Sequence, residues 1–321
     1  MSDESTTYRT PLASRGTLLL PLTAGRIQGG VWLYGAIRTR AVVAQVLSGW
    51  IASRSIRLTP GGSAQWHPPI PETDLADWLL GLEKSSGERI AHAAIQLPSD
   101  RRRRRFNFLL ANETKAPVAF AKFTMNPLNE MAIEAFRRFG EDPPEAFWAP
   151  RLLDAGMLGG YSYTVTSTMP NRPHFPARLS PQQRRNIIKD IQSRLTGLVQ
   201  DTAVVMHGDF GAWNVRSFRG GAIAIVDWEA TAQGVPVADE LWHALSWVPT
   251  RSSKYDVARL LRVELPDRDP DIVSLAAQFW LEKLDQSEAD EIAPERPMPN
   301  SLKNAATRIR DLLEELSELA S

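Results

Sequence analysis

Between Ala93 and Met125 three short runs, AAIQLP, RRRRRFNFLL and VAFAKFTM, read as strands. Ser99-Asp100 and ANETKAP between them predict turns, so a small antiparallel sheet is expected. A helical period follows. From about Leu128 to Phe139 the residues Ile133, Phe136 and Phe139 fall on one helical face, with Gly140 expected to close the helix. APRLLDAG and YSYTVTSTM read as a further strand pair, and the proline-rich PNRPHFPARL that follows is expected to be irregular.

From Ser180 the pattern becomes helical. SPQQRRNIIKDIQSRLTGLV opens with a serine cap and a proline at the first helical position. Later helices are predicted over Ala238–Trp247, Asp271–Leu284 and Ser301–Ala320. The last carries Leu302, Ile309, Leu312, Leu316 and Leu319 in one stripe, which at this length fits packing on its own domain better than a coiled-coil seam. The change of texture predicts an α+β chain in which 91–170 form a β-rich region and 171–321 a mostly helical one, with the turn between them near 168–173. Residues 1–90 show no clear period, only Gly and Pro clusters at Gly29-Gly30 and between Pro60 and Pro71; an N-terminal extension packed on the sheet is the expectation.

Composition narrows this picture. A chain of 321 residues that is 43% hydrophobic can bury a core in each of two domains. The absence of cysteine excludes disulfides, thiolate nucleophiles and cysteine-ligated zinc, and fits a reducing compartment, so a cytoplasmic location is expected. Asp3 and Glu4 ahead of the short run Leu18–Leu22 are unlike a secretory signal. The apolar stretch Ala41–Ala52 lies between Arg38, Arg40 and Arg54 and is far shorter than the roughly 20 residues that span a bilayer. Lys plus Arg and Asp plus Glu both total 37, and this zero net charge makes no electrostatic case for nucleic acid or membrane partners.

The chemistry concentrates between His207 and Asp227. VVMHGDFGAWNV runs from an apolar strand into a loop bearing His207, Asp209 and Asn214, and VRSF and AIAIVDWE flank Arg219-Gly220-Gly221, a tight hairpin. Closing that hairpin brings Asn214 and Asp227 together at its open end, with Asp209 on the loop that feeds the same end. Two oxygen ligands suit a hard cation such as Mg²⁺, completed by phosphate and water, and a separate carboxylate is left for the proton of an attacking hydroxyl. With no cysteine and no H-x-x-x-H pair, zinc is a poor competitor.

HGDFGAWN, followed 13 residues after its Asn by the Asp of VDWE and then by GVPVADEL, resembles the aminoglycoside phosphotransferase and choline kinase-like family. The family pattern is H-G-D-x-x-x-x-N, D-W-E/D and G-x-P-x-x-D-L; here Glu240 stands between Asp239 and Leu241. The resemblance implies a two-lobed protein-kinase-like fold, with a small β-rich N-lobe and a larger, mostly helical C-lobe. It also implies ATP- and Mg²⁺-dependent phosphorylation of a hydroxyl on a small metabolite such as a sugar, amino alcohol or antibiotic. It makes Asp209 the catalytic aspartate, Asn214 and Asp227 the Mg²⁺ ligands and Asp239 the buttress of the catalytic loop. VAFAKF resembles the strand whose lysine, here Lys122, contacts ATP phosphates. Glu130 is the chosen helix partner of that lysine, with Glu134 and Asn129 as open alternatives. YTVTSTMPNRP resembles the segment that contacts adenine, which nominates backbone groups from Ser167 to Met169.

Other residues carry two readings. No glycine-rich loop precedes Lys122; Ser99 and the arginines beside it can touch phosphates or form a solvated strand face. His207 reads as a residue that holds the loop backbone. Trp213, Trp228, Trp242 and Trp247 read as packing residues, with Trp242 or Trp247 alternatively lining an acceptor pocket. A nucleotide-binding pseudokinase or assembly protein of the same fold is the alternative function. A protein kinase is disfavoured, because Gly234-Val235-Pro236 follows Asp227 too closely for an activation loop ending in A-P-E.

Overall fold

A computed structural model describes residues 7–9, 18–21, 63–65, 69–96, 105–114, 116–170, 174–199, 203–247, 256–290 and 300–319. The architecture is α+β and divides into two compact units, Met1–Leu128 with Pro150–Phe175, and Asn129–Ala149 with Pro176–Ser321. Among the described residues no helix is long and apolar enough to cross a membrane.

The first unit is a sheet. Its strands are β1 (Thr7–Arg9), β2 (Leu18–Pro21), β3 (Ser63–Gln65), β4 (His92–Gln96), β5 (Arg105–Ala111), β6 (Pro117–Thr124), β7 (Leu152–Leu158) and β8 (Tyr161–Ser167), in the antiparallel order β3-β1-β2-β4-β5-β6-β8-β7. The alternation of β6 turns Ala119, Ala121 and Phe123 into the core and leaves Lys122 on the opposite face. Phe106 stacks on Phe123 with ring centres 4.8 Å apart, and Trp78 meets Phe123 edge-on at 5.2 Å. The β7–β8 turn is Gly159-Gly160, with φ of 56° and 81°, between the partners Leu158 and Tyr161. A two-residue turn of this hand needs positive φ at both positions, which glycine adopts without strain.

Trp78 belongs to α1 (Glu72–Ser86), a helix that the sequence pattern left unseen within 1–90. Its signals are short-range ones. Glu72 and Asp74 lie in the first turn, Trp78 and Leu82 are buried one turn apart, and Gly87 ends it at φ 70°, its N–H donating to the Glu83 carbonyl.

In the second unit α2 (Glu130–Glu141) is the helix expected after β6; it includes Gly140 and stops at Asp142. The Asn129 amide oxygen caps α2, accepting the N–H groups of Met131 and Ala132 at 3.1 and 3.2 Å. β9 (His174–Pro176), where the chain passes from the first unit into the second, is a three-residue strand inside the segment expected to be irregular. A capping box between Ser180 and Gln183 starts α3 (Pro181–Arg194). Short strands β10 (Val204–Met206) and β13 (Ala232–Gly234) pair, and β11 (Val215–Phe218) and β12 (Ile223–Ile225) form the expected hairpin, with Gly220 and Gly221 at φ 100° and 86°.

The helices α4 (Ala238–Leu245), α5 (Val257–Glu264), α6 (Pro270–Asp290) and α7 (Asn300–Ser317) enclose one apolar core built on Leu241, Leu245, Leu260, Val273, Trp280 and Leu313. The stripe of α7 buries Leu312 and Leu316 there, while Leu319 past its end is exposed. The side chain of Leu302 lies outside the described residues.

Candidate active site

The site is built on the loop between β10 and β11. His207, which is buried, accepts nothing from Val226: that carbonyl can only accept, so the imidazole Nε2 carries the hydrogen and donates across 3.0 Å. Nδ1 is then a lone pair and accepts the Asp209 N–H at 3.2 Å. One neutral tautomer thus ties the hairpin to the loop, and the ring packs on the buried Trp228 at 4.5 Å. Gly208 follows at φ 77°, where a Cβ would lie 1.9 Å from the Ala230 carbonyl oxygen, so no other residue fits without moving the backbone.

Four points on or next to α4 hold the same loop. Asp239 accepts the N–H groups of His207 and Gly208 at 2.7 and 3.2 Å. The Ser246 hydroxyl oxygen accepts the Ala212 N–H at 2.9 Å, and His243 Nδ1 donates to the Phe210 carbonyl at 3.2 Å. Trp242 Nε1 donates to Asp209 at 3.2 Å. Burial pushes the Asp239 carboxyl up to about 7, against the pull of its two backbone donors. Burial in the same way holds His243 down to about 3, so it stays neutral. Glu240, the departure from the family pattern, is buried and bound by Arg268 through Nε and Nη2 at 3.0 and 2.7 Å.

The Asp209 carboxylate accepts from three side chains. Trp213 Nε1 lies 3.1 and 3.0 Å from its two oxygens, Trp242 Nε1 3.2 Å from Oδ1, and Asn214 Nδ2 2.8 Å from Oδ2. Its pKa is nevertheless pushed up to about 6, chiefly by burial and further by the charge of Asp227, with the three donors pulling the other way.

Asn214 and Asp227 sit where the hairpin puts them. Val215 pairs with Ile225, and the Val226 N–H donates to the Asn214 carbonyl at 3.0 Å, so the residues just outside both strands face the open end. The Asn214 amide nitrogen donates to the Asp209 carbonyl as well as to its side chain, at 2.9 and 2.8 Å, which turns Oδ1 away from Asp209. Asp227 is exposed and left-handed, at φ 67° and ψ 57°. A non-glycine residue held there stores backbone strain, a common property of functional positions. Among the described residues no group of three or more His, Cys, Asp or Glu side chains could hold a metal by itself. One amide oxygen and one carboxylate fit Mg²⁺, whose remaining positions phosphate and water would fill.

The structure brings Asp209, Asn214, Asp227 and Asp239 together. Lys122 lies in the first unit on β6, opposite Asn107 and Thr164, with Nζ 5.9 Å from the centre of the Phe120 ring. Ser167 ends β8, its hydroxyl oxygen accepting the Arg151 N–H at 2.9 Å, and Met169 is half-buried. Ser99 lies outside the described residues. Glu130 is exposed at the start of α2. The two alternatives for its role have other work. Asn129 donates to the carbonyls of Glu229 and Thr231, both at 2.8 Å, besides capping α2, and Glu134 is bound by Arg137 and by Arg138. Sequence reading assigned Trp213 to packing, and Trp242 to packing or to the lining of an acceptor pocket; the N–H groups of both on Asp209 are what it missed, because neither spacing nor period says where an indole nitrogen points.

Residues 167–271 match the sequence model of the phosphotransferase enzyme family. This stretch contains Asp209, Asn214, Asp227 and Asp239 and begins after Lys122 and Glu130. No curated protein matches the chain. Among solved structures the chain is similar to a thermostable mutant of aminoglycoside phosphotransferase APH(4)-Ia in apo form, with 12% identity, 76% of this chain and 99% of that one covered, and a TM-score of 0.47. It is also similar to the amicoumacin kinase hAmiN in complex with AMP-PNP and Ca²⁺, with 10% identity, 78% and 97% coverage and a TM-score of 0.43. A third is aminoglycoside phosphotransferase APH(3'')-Id from Streptomyces rimosus, with 14% identity, 77% and 99% coverage and a TM-score of 0.34. Likeness at this level says nothing about substrate.

Proposed function

We propose that the chain transfers the γ-phosphoryl group of ATP, with Mg²⁺, to a hydroxyl of a small metabolite. The observation that carries this reading is the convergence of Asn214 and Asp227 at the open end of the β11–β12 hairpin, next to a carboxylate, Asp209, held at a fixed position by the loop. In this reading Asn214 Oδ1 and Asp227 hold the metal, and Asp209 accepts and aligns the acceptor hydroxyl. Mg²⁺, when bound, neutralises charge on the phosphate oxygens. Asp239 keeps the His207-Gly208 turn in place through two backbone hydrogen bonds. Lys122, Glu130 and Ser99 are assigned to the phosphate end of the nucleotide, and backbone groups at Ser167 and Met169 to adenine.

The phosphotransferase match over residues 167–271 supports the reaction class. Phosphoryl transfer asks little covalent chemistry of the protein and much positioning, and a loop fastened at four points from one helix suits that demand. A panel of hydroxyl-bearing metabolites incubated with ATP and Mg²⁺ and read by mass tests the proposal. An acceptor heavier by one phosphoryl group, dependent on Mg²⁺ and lost in Asp227→Ala, is the expected result. ATP bound with unchanged affinity and metal dependence in Asp227→Ala would remove the metal assignment.

A further inference from the structure

The Trp213 indole N–H points at both oxygens of the Asp209 carboxylate. A donor 3.1 and 3.0 Å from the two oxygens of one carboxylate lies in the fork between them. Trp242 and Asn214 take one further position on each oxygen, so three side chains cover a group with about four acceptor sites. A hydroxyl that is to give its proton to Asp209 has to replace one of these donors.

The three are not equally replaceable. Trp242 is stacked on Trp280 at 4.5 Å, and Trp280 is itself fastened by its N–H to the Ala238 carbonyl at 2.8 Å. Asn214 makes a second hydrogen bond to the Asp209 backbone. Trp213 is half-buried in the loop, and its ring lies across Gly211, where a Cβ would come within 2.5 Å of Cε2 and Cζ2. A bare glycine beneath the ring lets the indole lie with its N–H in the fork, and Trp242 meets the ring only edge-on, with centres 6.3 Å apart.

We propose that Trp213 is a positioning residue that guards the base: its indole N–H fills the fork of Asp209 until an acceptor hydroxyl displaces it, which keeps water from being phosphorylated in the acceptor's place. This rests on the phosphotransfer reading above. The reaction held in check is hydrolysis, in which a water oxygen bonds to the γ-phosphorus, the bond from that phosphorus to the β–γ bridging oxygen breaks, and ADP leaves with the electron pair. The water proton passes to Asp209 and then to solvent, so the products are ADP, inorganic phosphate and a proton. Excluding water from such a site suppresses this side reaction without adding anything to transfer itself.

The test measures ADP release with Mg·ATP and no acceptor, alongside transfer to an acceptor from the metabolite panel, in wild type, Trp213→Phe and Gly211→Ala. Trp213→Phe keeps an aromatic ring and removes the donor; Gly211→Ala keeps the donor and lifts the ring. Acceptor-free ADP release rising roughly tenfold in both, with nucleotide affinity unchanged, is the expected result, since the lost bond is one charge-assisted hydrogen bond. A merely structural residue would instead lower hydrolysis and transfer together. The indole N–H resonance that Trp213→Phe removes from the nitrogen-15 NMR spectrum of the metal-free chain is expected to move in Asp209→Asn. An unmoved resonance, or hydrolysis no faster than wild type in both variants while wild type phosphorylates an acceptor, overturns the guard alone. No transfer and no hydrolysis by any of the three chains overturns the phosphotransfer reading and the guard with it.

Discussion

The sheet of the first unit and the loop between β10 and α4 in the second are built on opposite terms. In the sheet, the buried positions are mostly apolar and aromatic, with the uncharged Ser162 and Thr166 of β8 buried among them, and its positive-φ turn is made of glycines. In the loop region, two carboxyl groups are held far above their ordinary pKa, and Asp227 and Val237 take left-handed backbone at φ 67° and 68°. Side chains that gain free energy by leaving water assemble the first; groups that lose by it make up much of the second. The difference teaches where stability is made and where it is consumed: strain and buried charge persist where the surrounding structure over-determines them, here through His207, Asp239 and Trp228.

Substitutions in the two regions are expected to separate cleanly. Asp209→Asn should lower phosphoryl transfer by about two to four orders of magnitude while nucleotide still binds and the chain still folds. Turnover measured with a true acceptor decides it, and a wild-type rate would remove Asp209 from the mechanism. Phe123→Ala addresses the other side. Phe123 is 1% exposed beneath Phe106 and Trp78, and its truncation should lower stability by about 3–5 kcal/mol, read as a fall in the urea midpoint. A loss below about 1 kcal/mol would mean that the aromatic cluster is not the keystone of the sheet.

The buried carboxyl of Asp239 sharpens the comparison through pH. Its folded pKa of about 7 lies above the unfolded value near 3.8, so between those values the folded chain keeps a proton that the unfolded chain has released. Its contribution therefore favours folding at the acid end and is lost as pH rises from about 4 to about 7, by up to about 1.4 kcal/mol per pH unit. Urea unfolding of the metal-free, nucleotide-free chain across that range should fall more steeply for wild type than for Asp239→Asn; parallel curves would show that the carboxyl is already ionised in the fold.

The smallest expected effect is also the one that sets function against stability. Asp227→Gly should relieve left-handed strain and raise stability by about 1 kcal/mol, while metal-dependent nucleotide binding is lost. Thermal unfolding and calorimetric titration of the same sample check both halves. A variant that is less stable than wild type would show that Asp227 is not strained in its present contacts.

Much of both regions could be read from the chain before any coordinates. The runs VAFAKFTM and YSYTVTSTM marked β6 and β8; in β6 burial of Ala119, Ala121 and Phe123 on one face follows the strand period of two, whereas β8 buries Tyr161-Ser162 and Val165-Thr166 in pairs. The hairpin about Gly220 and Gly221 was legible for a local reason too, and it was enough to place Asn214 beside Asp227. The helix α1 was obscured by the proline-rich approach Pro68-Pro69-Ile70-Pro71 and by the lack of a side-chain cap at Pro71, although its first-turn carboxylates and its closing Gly87 are present.

By itself, then, the sequence determined what depends on neighbours along the chain: the strand and helix periods, the turn glycines, the identity and spacing of His207, Asp209, Asn214 and Asp227, and the family resemblance those carry. Tertiary structure alone decided what depends on partners far apart in sequence. It set the tautomer of His207 through Val226, brought Asp239 under the His207-Gly208 turn across more than thirty residues of chain, and aimed Trp213 and Trp242 at one carboxylate. The physical reason is that a hydrogen bond's direction and a carboxyl's pKa are properties of the surrounding atoms, and periodicity records only whether a side chain is buried, not which atom it finds there.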